Sequence, residues 1–226
     1  MVFRYLLHYT KKQWNFNLRT LGIPYNATWR LKHKSMQAMK ERNDQKPLEG
    51  FIQIDNAYWG GVRKGTKGRG VKGKRPFVAV SLNDEMHPVA MCFSVVKGFQ
   101  KKEITDWTKR HIKAKSVTVS DGLACFNGLG DADVFHFSIV TGGGAECVEI
   151  HYFKWVNTII SNVKNAMHGT FHAINLKHLP RYLAEFGDKF NRRYNLESMI
   201  ERLAFANLIT PPIPERLLKL AESSKA

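Results

Sequence analysis

The period of the hydrophobic pattern changes from helical to strand-like near residue 47 of this chain. Up to about residue 41, apolar positions recur at helical spacing. Phe3, Leu6 and Leu7 share one side of a segment from Phe3 to Tyr9, and the run Trp14 to Leu21 leads into Gly22. A longer segment from Tyr25 to about Glu41 presents Trp29, Met36 and Met39 among basic residues. Helix, Gly-containing turn, helix is the order of a helix-turn-helix, whose second helix here carries Arg30, Lys32, His33 and Lys34. An ordinary helical hairpin packed on a core has the same signature.

Asn43 to Lys46 followed by Pro47 forms a polar linker, beyond which the period falls to two. Residues 51–57, 76–83 and 88–96 are short runs rich in Val, Phe and Ile, separated by turn signals such as Leu82-Asn83-Asp84. They predict a three-stranded antiparallel meander. Residues 100–113 predict a helix with Ile104, Trp107 and Ile112 inward, and residues 116–120 a buried strand. Tyr152 to His168 predicts an amphipathic helix with Phe153, Val156, Ile159, Ile160, Val163 and Met167 as its apolar stripe. Tyr182, Phe186 and Phe190 continue at helical spacing, and Pro211, Pro212 and Pro214 make an extended link into a short terminal helix.

These signals divide the chain into a helical segment 1–46, a catalytic-sized domain 47–210 and a tail 211–226. The order β-β-β-α-β is that of an RNase H-like domain: an α+β or α/β unit with a mixed sheet flanked by helices, here preceded by the helix-turn-helix segment. Periodicity alone does not separate this topology from other α+β arrangements.

Composition adds a partner. The chain has 226 residues, 43% of them hydrophobic, enough for one substantial core. Its 35 Lys and Arg against 19 Asp and Glu give a formal net charge of +16, which points to a polyanion and, foremost, to double-stranded DNA. Cys92, Cys125 and Cys147 form no Cys-x-x-Cys pair, which argues against a disulfide framework and a zinc ribbon, so no zinc is expected. Without a membrane-length apolar stretch or a signal-peptide pattern, the expected location is cytoplasmic.

The candidate chemistry lies at two strand ends. Phe51-Ile52-Gln53-Ile54 runs into Asp55, and Ser116-Val117-Thr118-Val119-Ser120 runs into Asp121. On the helix beyond, Asn157 and Lys164 are seven residues apart, about 20° around the axis, so both face one ligand. Two strand-end aspartates beside a polar helix face suggest a Mg²⁺ site for phosphodiester chemistry, with Mn²⁺ as a possible substitute. Asp55, Asp121 and Asn157 are the candidate ligands, with Glu146 or Glu149 as alternative third carboxylates. Between the first two strands, Arg63, Lys64, Lys67, Arg69, Lys72, Lys74 and Arg75 occur with no acidic residue among them and are candidate DNA contacts. Gly68 to Lys74 has the spacing of a phosphate-binding loop, but Arg75 and Pro76 follow instead of a hydroxyl and a helix, so no nucleotide cofactor is expected. Arg30, Lys34, Arg192 and Arg193, with Arg181 and Lys189, complete the cations assigned to DNA.

At these residues the chain resembles a known family. Ile54-Asp55-Asn56-Ala57-Tyr58-Trp59-Gly60-Gly61, Gly68-Arg69-Gly70 with Gly73-Lys74, Asp121, and Trp155-Val156-Asn157-Thr158-Ile159 with Lys164 resemble bacterial insertion-sequence transposases of the DDE superfamily. The subgroup is the one whose triad reads Asp-Asp-Asn with a following Lys. The likeness continues through His172, Lys177 to Phe186 and Phe190-Asn191-Arg192-Arg193, covering about residues 3 to 210. It implies an RNase H-like catalytic domain that binds Mg²⁺, cleaves DNA and transfers strands between transposon ends and target, self-associating on paired ends. Members usually carry a zinc ribbon ahead of the helix-turn-helix, which this chain lacks, and Asn56 stands where relatives often have a second acid. A catalytically inactive or truncated transposase-derived DNA-binding protein is therefore the alternative expectation, and an RNase H-like nuclease acting on a hybrid or structured substrate a third.

Overall fold

The computed structural model describes residues 22–59, 75–84, 87–96, 98–140, 151–171, 174–195 and 197–221. Its helices are α1 (Tyr25–Asp44), α2 (Lys101–His111), α3 (Lys154–Thr170), α4 (Leu179–Asn191), α5 (Met199–Ile209) and α6 (Glu215–Leu220). Its strands are β1 (Phe51–Trp59), β2 (Arg75–Asp84), β3 (His87–Val95), β4 (Val117–Asp121) and β5 (Phe135–Ile139). Chain contacts separate two units, Asp44–Lys164 around the sheet and a helical unit of Met1–Asn43 with Asn165–Ala226. The second boundary falls inside α3. The segments before Gly22, the expected helix Phe3 to Tyr9 and the run Trp14 to Leu21, lie outside the described residues, and α1 is the expected second helix.

In the sheet unit the strands lie in the order β3-β2-β1-β4-β5. β1, β2 and β3 form the expected antiparallel meander, with Ile54 opposite Val80 and Val80 opposite Cys92. β4 then pairs with β1 in parallel, and β5 with β4 in parallel. This mixed sheet with helices on its faces is the RNase H-like fold. The sequence reading named no element between Ser120 and Tyr152, whereas 3-10 turns at Ala124–Gly128 and Gly130–Ala132 lead into β5. β5 is an edge strand whose Phe135 and Phe137 are both exposed, so it lacks the buried hydrophobic face that makes a strand legible.

One face of the sheet carries the principal core. Ile52 and Ile54 of β1 pack with Cys92, Val96, Ile104, Trp107, Ile112, Phe126 and Leu129, so the three positions predicted inward are buried, Ile104 and Trp107 on α2 and Ile112 just past its end. α2 has Glu103 in its first turn and Lys109, Arg110 and His111 in its last, charges that suit the helix dipole. It ends where Ile112 turns extended and bridges Leu48 in parallel, with the Leu48 N–H donating to the His111 carbonyl at 2.8 Å. That bridge sits just before β1 and β4. There Gly50, at φ +85°, offers its carbonyl to the Val117 N–H at 2.9 Å and starts the parallel pairing.

The helical unit is built on buried polar groups as well as apolar ones. Arg181 is 2% exposed; its Nε donates to Gln37 Oε1 at 2.9 Å and an Nη to the Leu218 carbonyl at 2.8 Å, joining α1, α4 and α6. His33 stacks on Trp29 with ring centres 4.0 Å apart and meets His178 edge-on at 4.7 Å. Asp188, wholly buried, is ion-paired with Arg192 one turn on, and Asn43 Nδ2 donates to the Ala184 carbonyl at 3.2 Å.

Two stability predictions follow from this unit. Removing one member of a buried ion pair strands the other, so Asp188→Ala should destabilise the protein by about 3 kcal/mol or more in urea unfolding. Burial, followed by His178 and Arg181, pushes His33 down to about 3, and burial with the charge of Arg181 pushes His178 to about 4. Both stay neutral when folded but take up protons below about pH 6.5 when unfolded, so stability should fall as pH drops from about 6.5 to 4 and flatten near 3. His178→Leu should flatten the upper part of that fall in unfolding series run between pH 7 and 4.

Candidate active site

The parallel pairing of β1 and β4 brings the two aspartates together. Phe51, Ile52, Gln53 and Ile54 face Val117, Thr118, Val119 and Ser120 in register, and Asp55 and Asp121 are the next residues on each strand. Neighbouring strands run about 4.8 Å apart, and equal parity puts both side chains on one face of the sheet. That face is the one opposite Ile52 and Ile54, so the carboxylates stand outside the principal core. Both residues are half-buried.

Local hydrogen bonds orient each carboxylate. Asp55 Oδ1 accepts from the Asn56 backbone N–H at 2.6 Å, and Asp121 Oδ1 from the Leu123 N–H at 3.2 Å. The strand end at Asp121 is also braced from the opposite face. Ser120 Oγ donates to the Asp121 carbonyl at 3.0 Å and lies 2.8 Å from His136 Nε2 on β5, which leaves that ring nitrogen as the donor. Burial lowers the pKa of His136, consistent with a neutral ring in this role.

α3 approaches the same face by its first turn. The Val156 N–H, which has no partner inside the helix, donates to Gln53 Oε1 at 3.1 Å. Phe51, on the same face as Gln53 and Asp55, meets Tyr152 just ahead of the helix at 6.4 Å between ring centres. Asn157 directly follows Val156 and is half-buried, while Phe153, Val156, Ile159, Ile160, Val163 and Met167 are buried as the predicted stripe. Lys164 is half-buried on Asn157's side of the helix, about 10 Å further along the axis at 1.5 Å per residue. Asp55, Asp121, Asn157 and Lys164 all belong to the sheet unit. Among the described residues no group of three His, Cys, Asp or Glu gathers as a metal site.

The assigned DNA contacts fare differently. Arg63, Lys64, Lys67, Arg69, Lys72 and Lys74 lie outside the described residues, as do Glu146 and Glu149; Arg75 opens β2, paired with Trp59. On α1, Lys34 is exposed and Arg30 is ion-paired with Glu215 at 2.9 Å. His33 and Lys32 are not available as a DNA-reading face: His33 is buried, and Lys32 Nζ sits 4.2 Å over the Phe171 ring. Arg181 is likewise interior, where its guanidinium donates to Gln37 and to the Leu218 carbonyl and so joins three helices. Arg192 is held by Asp188, Lys189 pairs with Glu185 at 2.8 Å, and Arg193 lies 3.7 Å over the Phe190 ring while donating to the Phe190 carbonyl.

The residue that sequence reasoning missed is Gln53. Period-two alternation assigns it to solvent between Ile52 and Ile54, yet it is wholly buried because α3 covers that face too. Its signal was its place, a polar residue one step before Asp55 on the same strand face.

Among the described residues no helix is long and apolar enough to cross a membrane. No curated protein matches the chain significantly. Solved structures similar to it include the catalytic core domain of BIV integrase, at 11% identity over 70% of this chain and 99% of that one, with a TM-score of 0.39. The Mos1 strand transfer complex matches at 10% identity over 80% of this chain and 61% of that one, also with a TM-score of 0.39. The catalytic domain of Mos1 mariner transposase matches at 10% identity over 76% and 92%, with a TM-score of 0.31. The match that covers most of the sheet unit and the helix after it is of another kind: residues 47–191 fit the ISXO2-like transposase domain, and the chain belongs to that family of DDE transposases.

Proposed function

We propose that this protein is a DNA transposase that cleaves phosphodiester bonds at the ends of an insertion sequence and transfers the strands to a target, with Asp55, Asp121 and Asn157 as ligands of Mg²⁺. The observation that carries this reading is the register of β1 and β4, which seats Asp55 and Asp121 side by side on the face that the first turn of α3 meets. A shared ion needs ligand oxygens within roughly 3–5 Å of one another, a spacing that adjacent parallel strands provide. Two carboxylates and an amide oxygen are hard donors suited to Mg²⁺, with Mn²⁺ as a substitute, and unsuited to zinc. Bound there, the ion would supply charge neutralisation at the phosphate and activation of the attacking water or 3′-hydroxyl.

The protein's own residues do the rest. Asp55 and Asp121 carry the site's two formal negative charges, held by the N–H groups of Asn56 and Leu123. Asn157 contributes oxygen without a third charge, which eases approach of a phosphodiester at the expense of cation affinity. Lys164, two turns along α3, takes a phosphate of the same strand beyond the reacting one. The excess of 16 positive charges holds double-stranded DNA, with the basic run Arg63 to Arg75, which follows β1 in the sequence, as a dense concentration of them. The protein acts as a multimer that pairs two ends.

The test is cleavage of a duplex carrying the DNA that flanks the gene, with Mg²⁺ or Mn²⁺. Asp55→Ala and Asp121→Ala should each reduce cleavage by ~100-fold or more, beyond the 10–100-fold typical of losing a supporting group around a metal, while gel-shift binding persists. Binding itself should weaken steeply as salt rises from 50 to 200 mM. Asn157→Asp, by restoring a charge, should lower the Mg²⁺ concentration for half-maximal cleavage. Cleavage that survives Asp121→Ala overturns the assignment. Binding without cleavage by the unaltered chain makes it a transposase-derived DNA-binding protein instead.

A further inference from the structure

We propose that Gln53 is a positioning residue that sets Asn157 against the two aspartates, an inference that rests on reading Asp55, Asp121 and Asn157 as the cation's ligands. Gln53 has no exposed surface, and its Oε1 accepts the Val156 N–H at 3.1 Å. This single bond spans from the central strand to the first turn of α3. At its strand end Gln53 shares a sheet face with Asp55, two residues on. At its helix end the donor is the residue immediately before Asn157. A first-turn N–H is ordinarily satisfied by a local cap, and here a strand side chain takes that role, so the helix's height and rotation are referred to the strand that carries the first aspartate.

The other end of the amide shows that packing alone does not account for this choice. With Oε1 directed at Val156, the Nε2 group points elsewhere in the interior and has no hydrogen-bond partner among the described residues. A buried, unpaired donor is costly, and that cost is comparable to the gain from the bond on the oxygen side. A methionine of similar length would give up the bond and shed the unpaired donor together, leaving stability little changed. What it would lose is the register between α3 and β1. Outer groups that hold ligands in place typically contribute 10–100-fold to metal affinity or activity.

The experiment measures Mn²⁺ binding by electron paramagnetic resonance, DNA cleavage, and thermal unfolding for the full chain and for Q53M, Q53E and D121A. Q53M should unfold within a few degrees of the unaltered chain, bind Mn²⁺ 10–100-fold more weakly, and lose cleavage in step, with partial recovery at high Mn²⁺. Q53E keeps an acceptor oxygen for Val156 whether or not its carboxyl is protonated, and should hold Mn²⁺ within about threefold. Mn²⁺ affinity and cleavage unchanged in Q53M would overturn the proposal. If Q53M fails to fold, Q53E decides alone, and a tenfold or greater loss of affinity in a folded Q53E refutes it. If the unaltered chain binds no Mn²⁺, or D121A binds it equally well, the ligand assignment itself fails and the proposal with it.

Discussion

Parallel pairing between β1 and β4 is the constraint from which the rest of the sheet unit takes its arrangement. Antiparallel neighbours can be joined by a hairpin, but two parallel strands need a crossover long enough to carry the chain back to its starting edge. Here the crossover comprises β2, β3 and α2, and α2 covers one face of the pair while returning. The pairing is anchored ahead of both strands by the Leu48–Ile112 bridge and the Gly50 carbonyl. Since side chains alternate along a strand, a slip of one residue in that register would send one aspartate into the hydrophobic core and leave the other outside it. Position and register of the candidate site are thus properties of the backbone, and the two local N–H donors refine only the carboxylate angle.

Much of this was legible in the sequence where burial is one-sided. α2 and the stripe of α3 come from runs whose apolar residues are buried on one side, as Ile104 and Trp107 are. Asp55 and Asp121 were legible because each ends such a run. β5 was not, because Phe135 and Phe137 are exposed and its hydrophobicity does not report burial. Gln53 went unnoticed for the converse reason, since a strand covered on both faces can bury a polar residue that alternation assigns to water. Which helix face meets the strand ends is a long-range property that no local pattern encodes.

Positive charge proved the least readable quantity. Net charge argues for a polyanionic partner, yet it does not say which cations meet it. Arg181 within α4 and Arg192 just after it are used inside the helical unit, one tying three helices and the other pairing with a buried carboxylate. Lys32 has its ammonium over the rings of Phe171 and Tyr182. A guanidinium or ammonium with an aromatic or carboxylate within a helical turn has a competing use, and that competition is settled only by the fold.

The division of the chain bears on how the protein is put together. Asp44–Lys164 interrupts the helical unit, whose two parts, Met1–Asn43 and Asn165–Ala226, are separated in sequence by the whole of the sheet unit. α1 and α4 can therefore share Gln37, Arg181, Asn43 and Ala184 only after a long stretch of chain has been closed into a loop. The entropy of such a closure grows only with the logarithm of length, so a prefolded sheet unit, by holding its own ends at a fixed separation, can shorten the effective loop. The topology is that of a nested domain: α1 precedes the sheet unit in the chain and the helices it packs with follow it, so every contact between α1 and α4 is non-local in sequence.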